Sequence, residues 1–251
     1  MPGNLRCRFC QNEDVSHLPA GRELEPAVLA DVFLEIQMMG CHNLNLVTPS
    51  HVVPQIFAGL TIAAAGGLRL PVVYNTGGYD AGETLALLDG VVDVYMPDVK
   101  LLDPNLAQRY LTASDYPDVV RDALTEMHRQ VGDLVTDVDD LAVHGLLVRH
   151  LVMPGLVAES ARVFAFLSTL SRDTFVNVMD QYRPCAEAAR VHGNVGYARD
   201  GAGRSHSRDA VDDPRCPADL DPIARRVGRD EFATFLGAAR AAGLRRAARS
   251  P

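Results

Sequence analysis

The sequence predicts an α/β fold whose parallel sheet curls into a barrel. Three observations predict it. Short apolar strands alternate with amphipathic helices, glycine or proline closes most elements, and polar, chemically varied residues follow the strands, where such sheets carry their functional groups. At 251 residues the chain can bury one substantial core.

Taken in order, Glu23 to Met39 carries an apolar stripe at Leu24, Val28, Leu29, Val32, Phe33 and Ile36, with Pro26 in its first turn and Gly40 at its end. Asn43 to Val47 reads as a strand that closes in Thr48-Pro49-Ser50. A helix through Val53, Ile56, Phe57 and Leu60 stops at Gly66-Gly67. The strand Leu70 to Tyr74 runs into Asn75-Thr76-Gly77-Gly78. A short helix covers Gly82 to Leu88, and the strand Val91 to Met96 ends at Pro97-Asp98-Val99-Lys100.

Asp103 to Ser114 predicts one or two helical turns. Pro117 to Val131 is a helix with Val120, Ala123, Leu124 and Met127 on one face. Leu134 to Leu141 is acidic and turn-rich, an arm leading into the strand Gly145 to Met153. A helix through Val163, Phe164 and Leu167 follows, and Thr174 to Met179 is expected to be the last strand, running into Gln181 to Cys185. Residues 199–222 shift to Gly, Ser, Asp, Arg and Pro, the composition of a flexible insert. Asp230 is expected to cap a final helix through Phe232, Phe235, Leu236 and Ala239. Arg245, Arg246 and Arg249 then read as a solvated basic end. The organisation expected is 1–198 as the barrel, 199–222 as the insert and 223–251 as helix and tail.

Apolar residues make up 47% and charged residues 22%, with a net charge of −8, which gives no reason to expect nucleic acid or an anionic membrane as partner. No apolar run approaches the roughly 18 to 20 residues that span a bilayer. The start lacks a signal-peptide layout, so the cytoplasm is the expected compartment. Five cysteines, Cys7, Cys10, Cys41, Cys185 and Cys216, are too few and too uneven for a disulfide framework. Cys7 and Cys10 form a Cys-x-x-Cys that could hold a metal or cluster, form half a zinc site, or cycle as a dithiol. Asn75 to Gly78 could be only a turn, Asp98-x-Lys100 only a surface ion pair, and His150 either a group at the barrel mouth or a hydrogen-bonded core residue.

Five segments in order carry a resemblance: Asn4-Leu5-Arg6-Cys7-Arg8-Phe9-Cys10-Gln11-Asn12, His42 to Pro49, Val73-Tyr74-Asn75-Thr76-Gly77-Gly78-Tyr79, Tyr95-Met96-Pro97-Asp98-Val99-Lys100, and Val148-Arg149-His150-Leu151-Val152-Met153-Pro154-Gly155. Together they resemble the radical S-adenosylmethionine (radical SAM) superfamily, and within it the branch of pyruvate formate-lyase activating enzymes. The resemblance implies a partial TIM-like (β/α)6 barrel. It also implies a [4Fe-4S] cluster held by Cys-x-x-x-Cys-x-x-Cys and S-adenosyl-L-methionine chelated to the fourth iron. An electron donor reduces the cluster, and the resulting 5′-deoxyadenosyl radical takes hydrogen from a substrate, here a protein or peptide.

Carried over by residue, Cys7 and Cys10 match the second and third cluster ligands and Asn12 the position beyond them. Thr48 stands where relatives bind the cofactor's amino group with a different sequence. Asn75, Thr76 and Asp98 match positions around the cofactor carboxylate or a nearby monovalent cation, with Lys100 close by. The first cluster cysteine is expected at the position held by Gly3, and the first barrel strand is expected before the loop, so the chain reads as truncated at its amino end. None of the other thiols is expected to complete the set: Cys41 precedes the second strand at the wrong end of the barrel, Cys216 falls in the insert, and Cys185, which follows the last strand, is only a remote candidate. The alternative to an enzyme is a barrel remnant without a cluster that acts as a binding or scaffold protein.

Overall fold

The alternation resolves into a sheet with helices packed over it in the computed structural model, which describes residues 4–11, 23–184, 198–199, 205–206 and 222–249. Helix α1 (Pro26–Met38) is followed by strand β1 (Leu44–Val47), a 3-10 turn (Pro49–His51), α2 (Val53–Ala65), β2 (Val72–Thr76), α3 (Gly82–Ala86) and β3 (Val94–Pro97). Then come α4 (Pro104–Leu111), α5 (Tyr116–Val131), β4 (Val135–Thr136), β5 (Ala142–Leu151), α6 (Val157–Leu170) and β6 (Phe175–Met179). After the two-residue strands β7 (Ala198–Arg199) and β8 (Ser205–His206), the chain ends in α7 (Arg229–Ala241) and β9 (Arg246–Arg249).

The sheet order among the described residues is β1-β2-β3-β5-β6-β9, every neighbouring pair parallel, with β4 antiparallel against the start of β5. This is the expected α/β class, a sheet of the partial TIM-like kind. β2 is buried at every position, as a parallel strand covered on both faces must be. α5 buries Val120, Ala123, Leu124 and Met127 on its striped face, each an apolar side chain whose removal from water contributes about 1–3 kcal/mol. α4 starts at Asp103, whose carboxylate accepts from Asn105 N (2.9 Å) and Leu106 N (3.1 Å), two donors otherwise unmatched at a helix start.

Three expectations are corrected. The cap of α7 is Gly228, and Asp230 lies inside the first turn; Glu231 reaches back to the Gly228 amide, so the carboxylate that satisfies the helix end comes from its third position. The carboxyl-terminal basic segment is a strand and not a free tail, although Arg245 and Arg249 keep their side chains largely in solvent, and Phe175–Met179 is not the last strand. Residues 246–249 pair with β6. Arginine can do this because its aliphatic stem packs while its head finds partners: Arg246 lies over the Phe175 ring and donates to Leu134 O (2.7 Å), and Arg249 lies over Phe232 and pairs with Asp180 (2.6 Å). The expected insert 199–222 falls mainly outside the described residues, apart from the short β7–β8 ladder. Among the described residues no helix is long and apolar enough to cross a membrane.

At the start of β5 the backbone of Gly145 has φ +113 and lies against Asp133 and Leu134, where a Cβ would collide with the Asp133 carbonyl. Gly145→Ala is expected to destabilise the protein by more than ~2 kcal/mol in urea unfolding, because neither the dihedral nor the space suits a side chain.

Candidate functional site

Parallel strands point their carboxyl ends to one side, and there the chain encloses a cavity of about 300 Å3. Its polar wall is built from Asn75 and Thr76 of β2, Asp98 just past β3, Lys100, and Arg149 of β5. Leu151, Met153 and Met179 form an apolar wall opposite in character, and Cys7, Phe9 and Cys10 of the cysteine loop also line the cavity. Thr48 completes the lining beyond β1.

The polar wall is organised by one carboxylate. Asp98 Oδ2 accepts from Lys100 Nζ at 3.0 Å and Oδ1 from Arg149 Nε at 2.8 Å, while Arg149 Nη2 donates to Asn75 Oδ1 at 2.9 Å. Sheet register makes the contact inevitable: Asp98 and Arg149 are bridged neighbours on adjacent strands. Burial alone would push the Asp98 carboxyl up; the Lys100 ammonium and Arg149 guanidinium beside it hold it below the usual carboxylate range. For Lys100, burial favours the neutral amine, but the Asp98 carboxylate outweighs it and keeps the ammonium charged. Two cations around one carboxylate leave the wall positive, suited to the carboxylate of a small ligand.

A second carboxylate sets the loops. Asp80, 3% exposed, accepts from Ser50 Oγ (2.5 Å), Tyr74 Oη (2.9 Å) and Thr76 Oγ1 (2.6 Å). Thr76 also accepts from Gly78 N at 3.2 Å, so its hydroxyl shapes the turn. Thr48 has φ 53, an unusual conformation for a β-branched residue, and its N–H is held by Asn75 O at 2.7 Å. The β1 and β2 ends are thereby locked together.

The cysteine loop is fixed by backbone contacts to the same region. Cys10 N donates to Cys7 O (3.1 Å), Arg8 N to Tyr110 O (2.9 Å) and Asn4 Nδ2 to Tyr79 O (2.6 Å), and the Phe9 ring meets Tyr182 edge-on. Burial pushes the Cys7 thiol up, and the Lys100 ammonium opposes this. Among the described residues no group of three or more His, Cys, Asp or Glu is arranged to hold a metal ion. Asn12, Gly3, Cys185 and Cys216 lie outside the described residues, and Cys41 is exposed.

The structure thus brings together Cys7, Cys10, Thr48, Asn75, Thr76, Asp98 and Lys100. His150 takes the core alternative. It is 2% exposed, with Nδ1 bonded to Val99 O (2.7 Å), Nε2 to Ser160 Oγ (2.8 Å), and its ring edge-on to Phe164. Neighbours on a strand face opposite ways, so Arg149 and not His150 reaches the cavity. In the sequence Arg149 shows only as part of the segment Val148 to Gly155. Asp80 carried no sequence signal beyond its place after a glycine turn.

No protein-family model matches the chain. It is 29% identical over 189 residues to the uncharacterized protein MJ0674 of Methanocaldococcus jannaschii, covering 72% of this chain and 51% of that one, so the chain spans about half the length of the curated relative it matches. Its fold is similar to that of Streptococcus suis SuiB bound to precursor peptide SuiA (TM-score 0.51, 12% identity, 77% of this chain and 42% of that one). A structure of TYW1 with a lysine-pyruvate adduct is less similar (TM-score 0.43, 11% identity, 70% of this chain and 60% of that one).

Burial lowers the His150 pKa from 6.5 to about 4, so the unfolded chain binds a proton between those values that the folded one does not. Stability is expected to fall by roughly 3 kcal/mol as pH drops from 6.5 to 4, at about 1.36 kcal/mol per unit, and to be insensitive to this group above pH 6.5. Urea midpoints across that range measure it, and a His150→Asn variant should have a shallower slope.

Proposed function

We propose that this chain is a radical SAM-type barrel of the activating-enzyme branch. In this reading it binds S-adenosyl-L-methionine in the strand-end cavity, uses Cys7 and Cys10 as ligands of an iron–sulfur cluster, and acts on a protein or peptide substrate with electrons from a separate donor. The observation that carries the reading is the cavity itself. It draws the five resembling segments, far apart in sequence, onto one site, with a positive polar wall on one side and an apolar wall on the other. The cofactor has the same division: an amino-acid end and an adenosine end.

Lys100 and Arg149 would take the cofactor's carboxylate. Asn75 and Thr48 lie on the polar wall where its amino group would be oriented. Leu151, Met153 and Met179 would cover the adenosine and exclude water. The hard chemistry would be that of cofactor and cluster, while the chain's residues bind, orient and shield. The fold shared with SuiB, whose structure holds a precursor peptide, supports a peptide or protein as the substrate class. A reducing compartment, the cytoplasm, suits free thiols.

For the cluster, the fit is incomplete: the described residues supply two thiols of the three that a [4Fe-4S] cluster of this kind takes. The second reading is a barrel without a cluster that acts by binding alone, as a binding or scaffold protein.

Anaerobic reconstitution with iron and sulfide separates the two. The first reading expects bound iron with brown absorption, its loss in Cys7→Ser and Cys10→Ser, and release of 5′-deoxyadenosine from S-adenosyl-L-methionine under reduction. Colourless protein that releases no 5′-deoxyadenosine contradicts the first reading and is the outcome the second expects.

A further inference from the structure

Of the 24 cationic side chains of the Lys and Arg type in this sequence, 23 are arginine and one is lysine. That lysine is Lys100, on the polar wall of the cavity. An ammonium is a compact point charge on a flexible stem, with none of the planar fork that fixes a guanidinium, so its position depends on what holds its backbone and its partner.

The group that holds them is the hydroxyl of Tyr116, at the start of α5 and 0% exposed. Its oxygen lies 3.0 Å from Gly77 O, 3.0 Å from Asp98 O and 3.1 Å from Lys100 N. It accepts from the Lys100 amide and shares its one proton between two carbonyls. Those three backbone groups belong to the loops after β2 and β3, the first following Asn75 and Thr76 directly and the second carrying Asp98 and Lys100. Gly78 makes the approach possible: with φ +78, its Cβ would sit 2.8 Å from Val120, 3.0 Å from Asp98 O and 3.4 Å from the Tyr116 hydroxyl. Burial keeps the phenol protonated and a donor, although the nearby ammonium acts the other way.

We propose that Tyr116 is a positioning residue of this site, whose hydroxyl ties the two strand-end loops together and so holds the Lys100 ammonium against Asp98 at the cavity wall. Its functional weight rests on the ligand reading above, but its geometry can be tested without ligand. Phenylalanine would keep the ring and its stacking on Tyr79, 6.0 Å away, and remove only the hydroxyl. Tyr79→Phe is the matched comparison, since it removes the hydroxyl that bonds Asp115 (2.8 Å) and leaves the Tyr116 hydroxyl and its bond from the Lys100 amide in place.

Protein made with isotopically labelled lysine gives a single lysine amide and a single Cε signal, both from Lys100. In wild type the amide should be protected from hydrogen exchange by the buried hydroxyl. Tyr116→Phe should speed that exchange roughly tenfold, the size expected for one buried hydrogen bond of ordinary strength, and move the Cε signal toward that of free lysine. Tyr79→Phe should do neither. Calorimetric titration with S-adenosyl-L-methionine should then show weaker binding to Tyr116→Phe and unchanged binding to Tyr79→Phe. Unmoved Lys100 signals in folded Tyr116→Phe overturn the proposal. Fast exchange of the wild-type Lys100 amide overturns it with no variant at all. Wild type that binds no cofactor while the Lys100 signals respond as expected upholds the positioning and counts against the ligand reading alone.

Discussion

The carboxylate of Asp98 is shared between Lys100 and Arg149, and the cavity's chemistry depends on that sharing. A charge of either sign taken partly out of water is costly, and each of the three is tolerated because the others are there. Arg149 extends the contact to Asn75, so one carboxylate joins the carboxyl ends of β2, β3 and β5. Surface ion pairs usually contribute little. This one differs because Asp98, one residue past β3, is bridged through its backbone to Arg149 of β5, which brings the two side chains together.

Around that carboxylate the labour is divided. Asp80 and its three hydroxyl donors fix the turns after β1 and β2, the Tyr116 hydroxyl fixes those after β2 and β3, and the ion-paired group between them is left facing the cavity. The cysteine loop docks on the same turns through Asn4 and Leu5, so its thiols are placed by the framework that places the polar wall. The cavity wall is thereby ordered in advance, so little remains to be fixed when a ligand binds.

Much of this was legible in the residues alone. Alternating strands and helices imply the sheet, and the rule that functional groups collect at strand ends gathers Thr48, Asn75, Thr76, Asp98 and Lys100. The α5 stripe held because 3.6-residue periodicity is a local property. The parts that were not legible depend on partners distant in sequence. Arg149 and His150 are adjacent, and only the strand's orientation decides which faces the cavity. Asp80 draws its hydroxyl donors from two strand ends, and one of them, Ser50, is thirty residues away. β9 has the composition of a solvated tail and becomes a strand because β6 offers an open edge with Phe175, Asp180 and Leu134 nearby for its arginines.

The central claim is that the positive polar wall around Asp98 receives the carboxylate of S-adenosyl-L-methionine. Calorimetric titration of that molecule into the wild-type protein and into Lys100→Met tests it most directly. Binding to the wild type is expected, with a loss of at least about tenfold in affinity, roughly 1.4 kcal/mol, in the variant. Equal affinity in the two proteins, or no binding to the wild type, would contradict it.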